Sequence, residues 1–192
     1  MNQVFNIVIL GVGGQGLMTL LRVISEAAFV SGFDVKTSEL HGLSQRGGSV
    51  SVSIRFGDKV YSPMVGQNRA NLIIALEQQE ALSGLYLANK ETIFLINEYE
   101  VPAIQQVSRS EIESELKRAS QNLYFVPASE ICQKELNNEV VSGIYLLGEA
   151  VKRGFLPLKA EAIDSAIKKI MPEKFWEINL KAFNLPLQFA NQ

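Results

Sequence analysis

The chain has 192 residues, 47% apolar and 20% charged, a balance ordinary for a globular protein long enough to bury a core of its own. Its formal charge of −2, with no lysine or arginine run, argues against nucleic acid as a partner, because phosphate binding takes a concentrated positive face. One cysteine, Cys132, excludes an internal disulfide and any cysteine-ligated metal site built by this chain alone.

The start, "MNQVFNIVIL", lacks the basic residues and long apolar run of a signal peptide, and no later apolar stretch reaches membrane-helix length. A cytoplasmic protein with no membrane partner is expected. Residues 4–10 form a short β-rich run that breaks at Gly11, which predicts a buried strand. After "GVGGQG", Leu17, Leu20, Leu21, Ile24 and Ala28 recur at helical spacing until Gly32. Residues 34–39 predict a second strand. In residues 49–56, Val50, Val52, Ile54 and Phe56 alternate with Ser49, Ser51, Ser53 and Arg55, the pattern of an antiparallel strand with one polar face. "GDKVYSP" reads as a turn and a short partner strand.

Residues 71–77 predict another buried strand, followed by a helix through "QQEALSGLYLAN". Residues 91–98 read as a strand, and "SRSEIESELKRASQN" as a polar helix opened by a capping box at Ser108 and Glu111. "LYFVPA" reads as the last strand. Helices are then expected over "SEICQKELN", "VVSGIYLLGEAVKRG", "PLKAEAIDSAIKKIM" and "PEKFWEINLKAFN". No repeat or linker interrupts the chain, so residues 1–192 are expected to be a single domain. Its predicted class is α/β, a three-layer sandwich with a mainly parallel, mixed sheet, a Rossmann-like start and a helical C-terminal third.

Gly11, Gly13 and Gly16 make G-x-G-x-x-G between a strand and a helix, where glycines allow a tight turn and free amides favour an anion. Glu39 follows Gly16 by 23 residues, where a dinucleotide fold holds a ribose. The same glycines also serve simple close packing of helix on strand. No Gly-Lys-Ser/Thr follows, which excludes a Walker-type loop. In a doubly wound sheet the loops after the first two strands share one edge, which gathers Gly13, Gly14, Gln15 and Gly16 with Glu39, His41, Gln45, Arg46, Gly47 and Gly48. Arg46 suits a carboxylate or phosphate, while His41, the sole histidine, and Glu39 suit a network that fixes the loop. An anion site is expected from the amides of residues 13–16 with Arg46.

"GVGGQG", "KTSELHGLSQRGGSV", "YSPMVG" and "ALEQQEAL", in this order, resemble the gamma-type subunit of the 2-oxoacid:ferredoxin oxidoreductases, most strongly the indolepyruvate branch. The resemblance extends through "GIYLLGEAVKRGFLPL" and "EINLKAF". It implies a complex that decarboxylates an aryl 2-oxoacid, passes the acyl group to coenzyme A and sends two electrons to ferredoxin. Thiamine diphosphate and iron–sulfur clusters are implied on the larger catalytic subunit, with no cofactor or metal on this chain. The residues agree: one cysteine falls short of four-iron ligation, and "GDK" is not a thiamine-diphosphate motif. Two places depart from the pattern. "GQNRAN" has no acidic residue where Glu and Asp are usual, and Ser142 stands where Asn is expected. The alternatives left open are a free-standing dinucleotide-binding oxidoreductase and a purely structural scaffold subunit. In "KFWEINLKAFNLPLQFANQ", large apolar groups lie on more than one helix face and residues 185–189 read as extended around Pro186. Docking on the catalytic subunit or on a second copy of this chain through Trp176 or Phe183 is therefore expected, ahead of a tail that wraps back over the chain's own sheet.

Overall fold

A computed structural model describes residues 4–41, 48–101 and 107–188, with His41 described at its backbone. The apolar run after the N-terminus becomes β1 (Phe5–Val12), and Ile7 to Leu10 are all buried because both faces of the strand are covered. The other strands are β2 (Asp34–His41), β3 (Ser49–Gly57), β4 (Leu72–Ala75), β5 (Ile93–Asn97) and β6 (Leu123–Val126), in the sheet order β2-β3-β1-β4-β5-β6. β1, β4, β5 and β6 are parallel, while β3 runs antiparallel to both β1 and β2. The mixed, mainly parallel sheet is therefore as expected, and so is the antiparallel β3. Its Val52, Ile54 and Phe56 are buried, and the serines alternate to the more open face.

Ile7 and Ile9 face one layer, built on α1 (Leu17–Val30), α3 (Ala128–Leu136), α4 (Ser142–Lys152), α5 (Ala160–Ile170) and α6 (Trp176–Gln188). Val8 and Leu10 face the other, where a 3-10 turn (Gln79–Gly84) and α2 (Arg109–Ala119) lie. The predicted capping box opens α2: Ser108 Oγ accepts from the Glu111 amide at 3.3 Å, and the Glu111 carboxylate accepts from the Ser108 amide at 3.0 Å.

Three local expectations are corrected. Residues 58–65 form no partner strand; Asp34 accepts from the Val60 amide at 2.8 Å, and Arg55 Nη1 donates to the Ser62 and Met64 carbonyls, so side chains replace a ladder. "QQEALSGLYLAN" is helical only through the 3-10 turn. That turn presses Gly84 so close to the sheet that a Cβ there would lie 2.9 Å from Ile73 Cδ1. Finally, α6 continues through Pro186 to Gln188 instead of turning extended. Pro186 sits in the last turn, where it removes the amide that would donate to the Ala182 carbonyl, and it is buried beside Gly148.

Candidate functional site

The edge at the C-terminal ends of the parallel strands carries the glycine loop. Gly14 (φ 104°) and Gly16 (φ 81°) adopt the left-handed conformation that turns β1 into α1 within four residues. Gln15 folds back over the turn, its Oε1 accepting from the Val12 amide at 2.8 Å, and a Cβ on Gly11 would collide with that oxygen at 2.6 Å. Of the four amides expected to hold an anion, two are already used: Gly13 N donates to Gly48 O at 3.0 Å and Gln15 N to Val12 O at 3.2 Å. Those of Gly14 and Gly16 have no acceptor among the described residues.

The Gly13–Gly48 bond decides the layout of this edge. It ties the glycine loop to the end of the β2–β3 connection, while His41, opposite Val50 in the register, marks its beginning. Gln45, Arg46 and Gly47 lie outside the described residues. Glu39 pairs in register with Val52, not with β1. With β3 inserted, Glu39 stands two strand spacings, about 10 Å, from β1, instead of on the adjacent strand a dinucleotide fold requires. The Rossmann-like start is thus limited to β1, its glycine turn and α1.

A cleft of about 170 Å³ opens beside the loop, lined by Gly14, Gln15, Leu76, Tyr99, Ser129 and Ser142, with Glu139 and Val140 exposed at its rim. The buried Asn97 builds the wall: its Nδ2 donates to Leu76 O and Ser129 Oγ, and its Oδ1 accepts from the Ser129 amide. Gln15 Nε2 has no acceptor among the described residues, which leaves a donor at the cleft beside the Gly14 amide. Ser142, noted as a departure in the sequence, lies in this lining.

The polar tetrad after β4 was not singled out as a site by the sequence. Glu77, 6% exposed, accepts from the Glu80 amide at 2.8 Å; Glu80 accepts from Ser49 Oγ at 2.7 Å; Gln78 bonds Glu100; and Gln79 accepts from the Val107 amide. Burial raises the Glu77 carboxyl above its ordinary value, and the nearby Glu80 and Glu100 carboxylates add to the effect. The available signal was "EQQE", four polar residues directly after an apolar strand. Together they fasten the ends of β3 and β5 around the cleft.

The tail differs from expectation. Phe183 is 0% exposed in the chain's own core and offers a partner no anchor, whereas Trp176 is half-buried, donating Nε1 to Met171 O at 2.7 Å. Cys132 is buried too, its thiol pushed up to about 12 by burial. A lone inert thiol does not fit the ligand set of an iron–sulfur cluster. Among the described residues no group of three metal-ligating side chains occurs, and no helix is long and apolar enough to cross a membrane.

The family model for pyruvate ferredoxin/flavodoxin oxidoreductase matches residues 6–189, from the start of β1 to the end of α6. The chain belongs to this family. It is 32% identical over 195 aligned positions to the indolepyruvate oxidoreductase subunit IorB of Pyrococcus horikoshii, with 98% of this chain and 96% of the relative covered. In fold it matches the gamma subunit of a keto/oxoacid ferredoxin oxidoreductase from Geobacter sulfurreducens at a TM-score of 0.72 and 22% identity, covering 97% and 98% of the two chains. The 2-oxoglutarate:ferredoxin oxidoreductase of Magnetococcus marinus, solved with 2-oxoglutarate, coenzyme A and succinyl-CoA, has the same fold at a TM-score of 0.75 and 15% identity. There all of this chain aligns with 32% of the longer one. This chain thus spans nearly the whole length of a relative that is itself a separate oxidoreductase subunit.

Proposed function

We propose that this chain is the small, non-redox subunit of a cytoplasmic 2-oxoacid:ferredoxin oxidoreductase acting on an aryl 2-oxoacid of the indolepyruvate kind. In that reaction the bond between the carboxylate and the carbonyl carbon breaks and carbon dioxide leaves. A thioester bond forms to coenzyme A, two electrons pass to ferredoxin and a proton is released. Thiamine diphosphate and the iron–sulfur clusters that supply this chemistry belong to the larger catalytic subunit, and the isolated chain, one domain throughout, is colourless and inactive. Its own part is to complete the wall of the shared site. The Gly14 and Gly16 amides and Gln15 Nε2 offer donors to an anionic group of coenzyme A or the 2-oxoacid, and Arg46 supplies the cation that the described lining lacks.

Support comes from the relative's name over nearly the whole chain. The supporting observation is the Gly13–Gly48 bond, which ties to the glycine loop a residue two positions after Arg46 in the sequence. The test is Arg46→Ala in the assembled complex, with Michaelis constants measured separately for coenzyme A and the 2-oxoacid. Loss of a charge-assisted contact raises one of them about ten- to a hundredfold. If both stay unchanged, the chain is a scaffold.

A further inference from the structure

At the opposite edge, where β1, β4 and β5 begin, the structure holds a larger cavity of about 500 Å³, within the range of small-molecule sites. Six residues of β1 separate this edge from the glycine loop, about 20 Å along the strand. We infer that this cavity binds a small oxyanion, a phosphorylated or polycarboxylated molecule, held by Arg69 with Asn68 and Asn71.

Its walls are fixed by side chains whose hydrogen bonds are already committed. Arg55 donates Nε to Asn6 Oδ1 at 2.8 Å and Nη1 to Ser62 O at 2.8 Å and Met64 O at 3.0 Å. Asn6 Nδ2 donates to Arg69 O, and the Asn6 amide donates to Asn71 Oδ1, both at 2.8 Å. Asn89 Nδ2 donates to Asn68 O at 2.8 Å, holding a residue in the left-handed conformation (φ 57°). Arg55 therefore contributes its charge and Nη2, which has no acceptor among the described residues.

The remaining donors are uncommitted. The Arg69 guanidinium, the Asn68 carboxamide and Asn71 Nδ2 have no acceptor among the described residues, and all three residues line the cavity. Two guanidiniums face one carboxylate, Glu91, so the cavity is locally positive in a chain of net charge −2. A planar guanidinium fork beside amide donors is the arrangement that phosphate and carboxylate groups take. A volume of 500 Å³ exceeds the needs of a single phosphate ion and suits an ester or a tricarboxylate.

Isothermal titration of the full chain with inorganic phosphate, adenosine monophosphate, citrate and uncharged adenosine tests this. Saturable binding of phosphate or citrate at millimolar concentration, with none of adenosine, is expected. Stronger binding of the nucleotide identifies a phosphate ester as the ligand, and stronger binding of citrate a polycarboxylate. Arg69→Ala, which removes no protein hydrogen bond, should weaken binding about ten- to a hundredfold, with partial recovery in Arg69→Lys. Asn71→Asp keeps the acceptor for the Asn6 amide, places a carboxylate among the donors, and should abolish binding. No saturable binding by any anion, or affinities unchanged in Arg69→Ala and Asn71→Asp, would overturn the inference. Neither result bears on the Arg46 kinetics, which concern the other edge.

Discussion

Replacing Gly148 by alanine puts a methyl carbon 2.2 Å from the carbonyl oxygen of Phe183 and 3.1 Å from Pro186 Cγ, at the crossing of α4 and α6. Carbon–oxygen contacts settle near about 3.3 Å, so the two helices must part by about 1 Å. The obstacle is backbone and a ring, neither of which can rotate away. Overpacking of this kind costs about 1–3 kcal/mol. Moving α6 also loosens Phe183, among the largest fully buried side chains, and losing part of its burial adds about 1–2 kcal/mol. Against this, alanine is the better helix former by about 1 kcal/mol. The net is a loss of about 1–4 kcal/mol, a fall of about 2–16 °C in melting temperature for a chain this size. Gly143→Ala in the same helix is the control: its Cβ would meet Leu76 Cδ2 at 3.5 Å, ordinary contact, so that variant should melt at or slightly above the parent temperature. Thermal unfolding of the three proteins decides. If Gly148→Ala melts with the parent, the close approach of α4 and α6 does not hold the C-terminal helix in place.

Burial, ahead of the neighbouring carboxylates, gives Glu77 a raised folded-state pKa, so the native state holds its proton more tightly than the unfolded chain. Its contribution is full below the ordinary carboxylate value and is lost as pH rises through the raised one. Relative to the parent, Glu77→Gln should gain stability across that window and then level off, as followed by urea denaturation from about pH 4 to 7; a pH-independent difference refutes it. Cys132, its thiol raised to about 12, should resist a disulfide reagent at about pH 8 until denaturant is added; stoichiometric labelling of the folded chain would contradict its burial.

Much of this protein follows from local pattern. Continuous apolar runs mark β1, β4 and β5 because both their faces are covered, and the strict alternation of β3 marks a strand with one open face. The glycines of the β1–α1 turn and the Ser108–Glu111 box are likewise local, since each acts within a few residues. Tertiary structure decided what depends on distant partners. The insertion of β3 between β1 and β2, which carries Glu39 away from the glycine loop, is a pairing choice that periodicity does not encode. Pro186 remains helical and Phe183 enters the core because Gly148, 35 residues before Phe183, leaves room for α6 to approach. The committed donors of Arg55 and Asn6 and the uncommitted guanidinium of Arg69 belong to the same class. Hydrogen-bond partners 49 and 63 residues apart become neighbours only when the sheet closes.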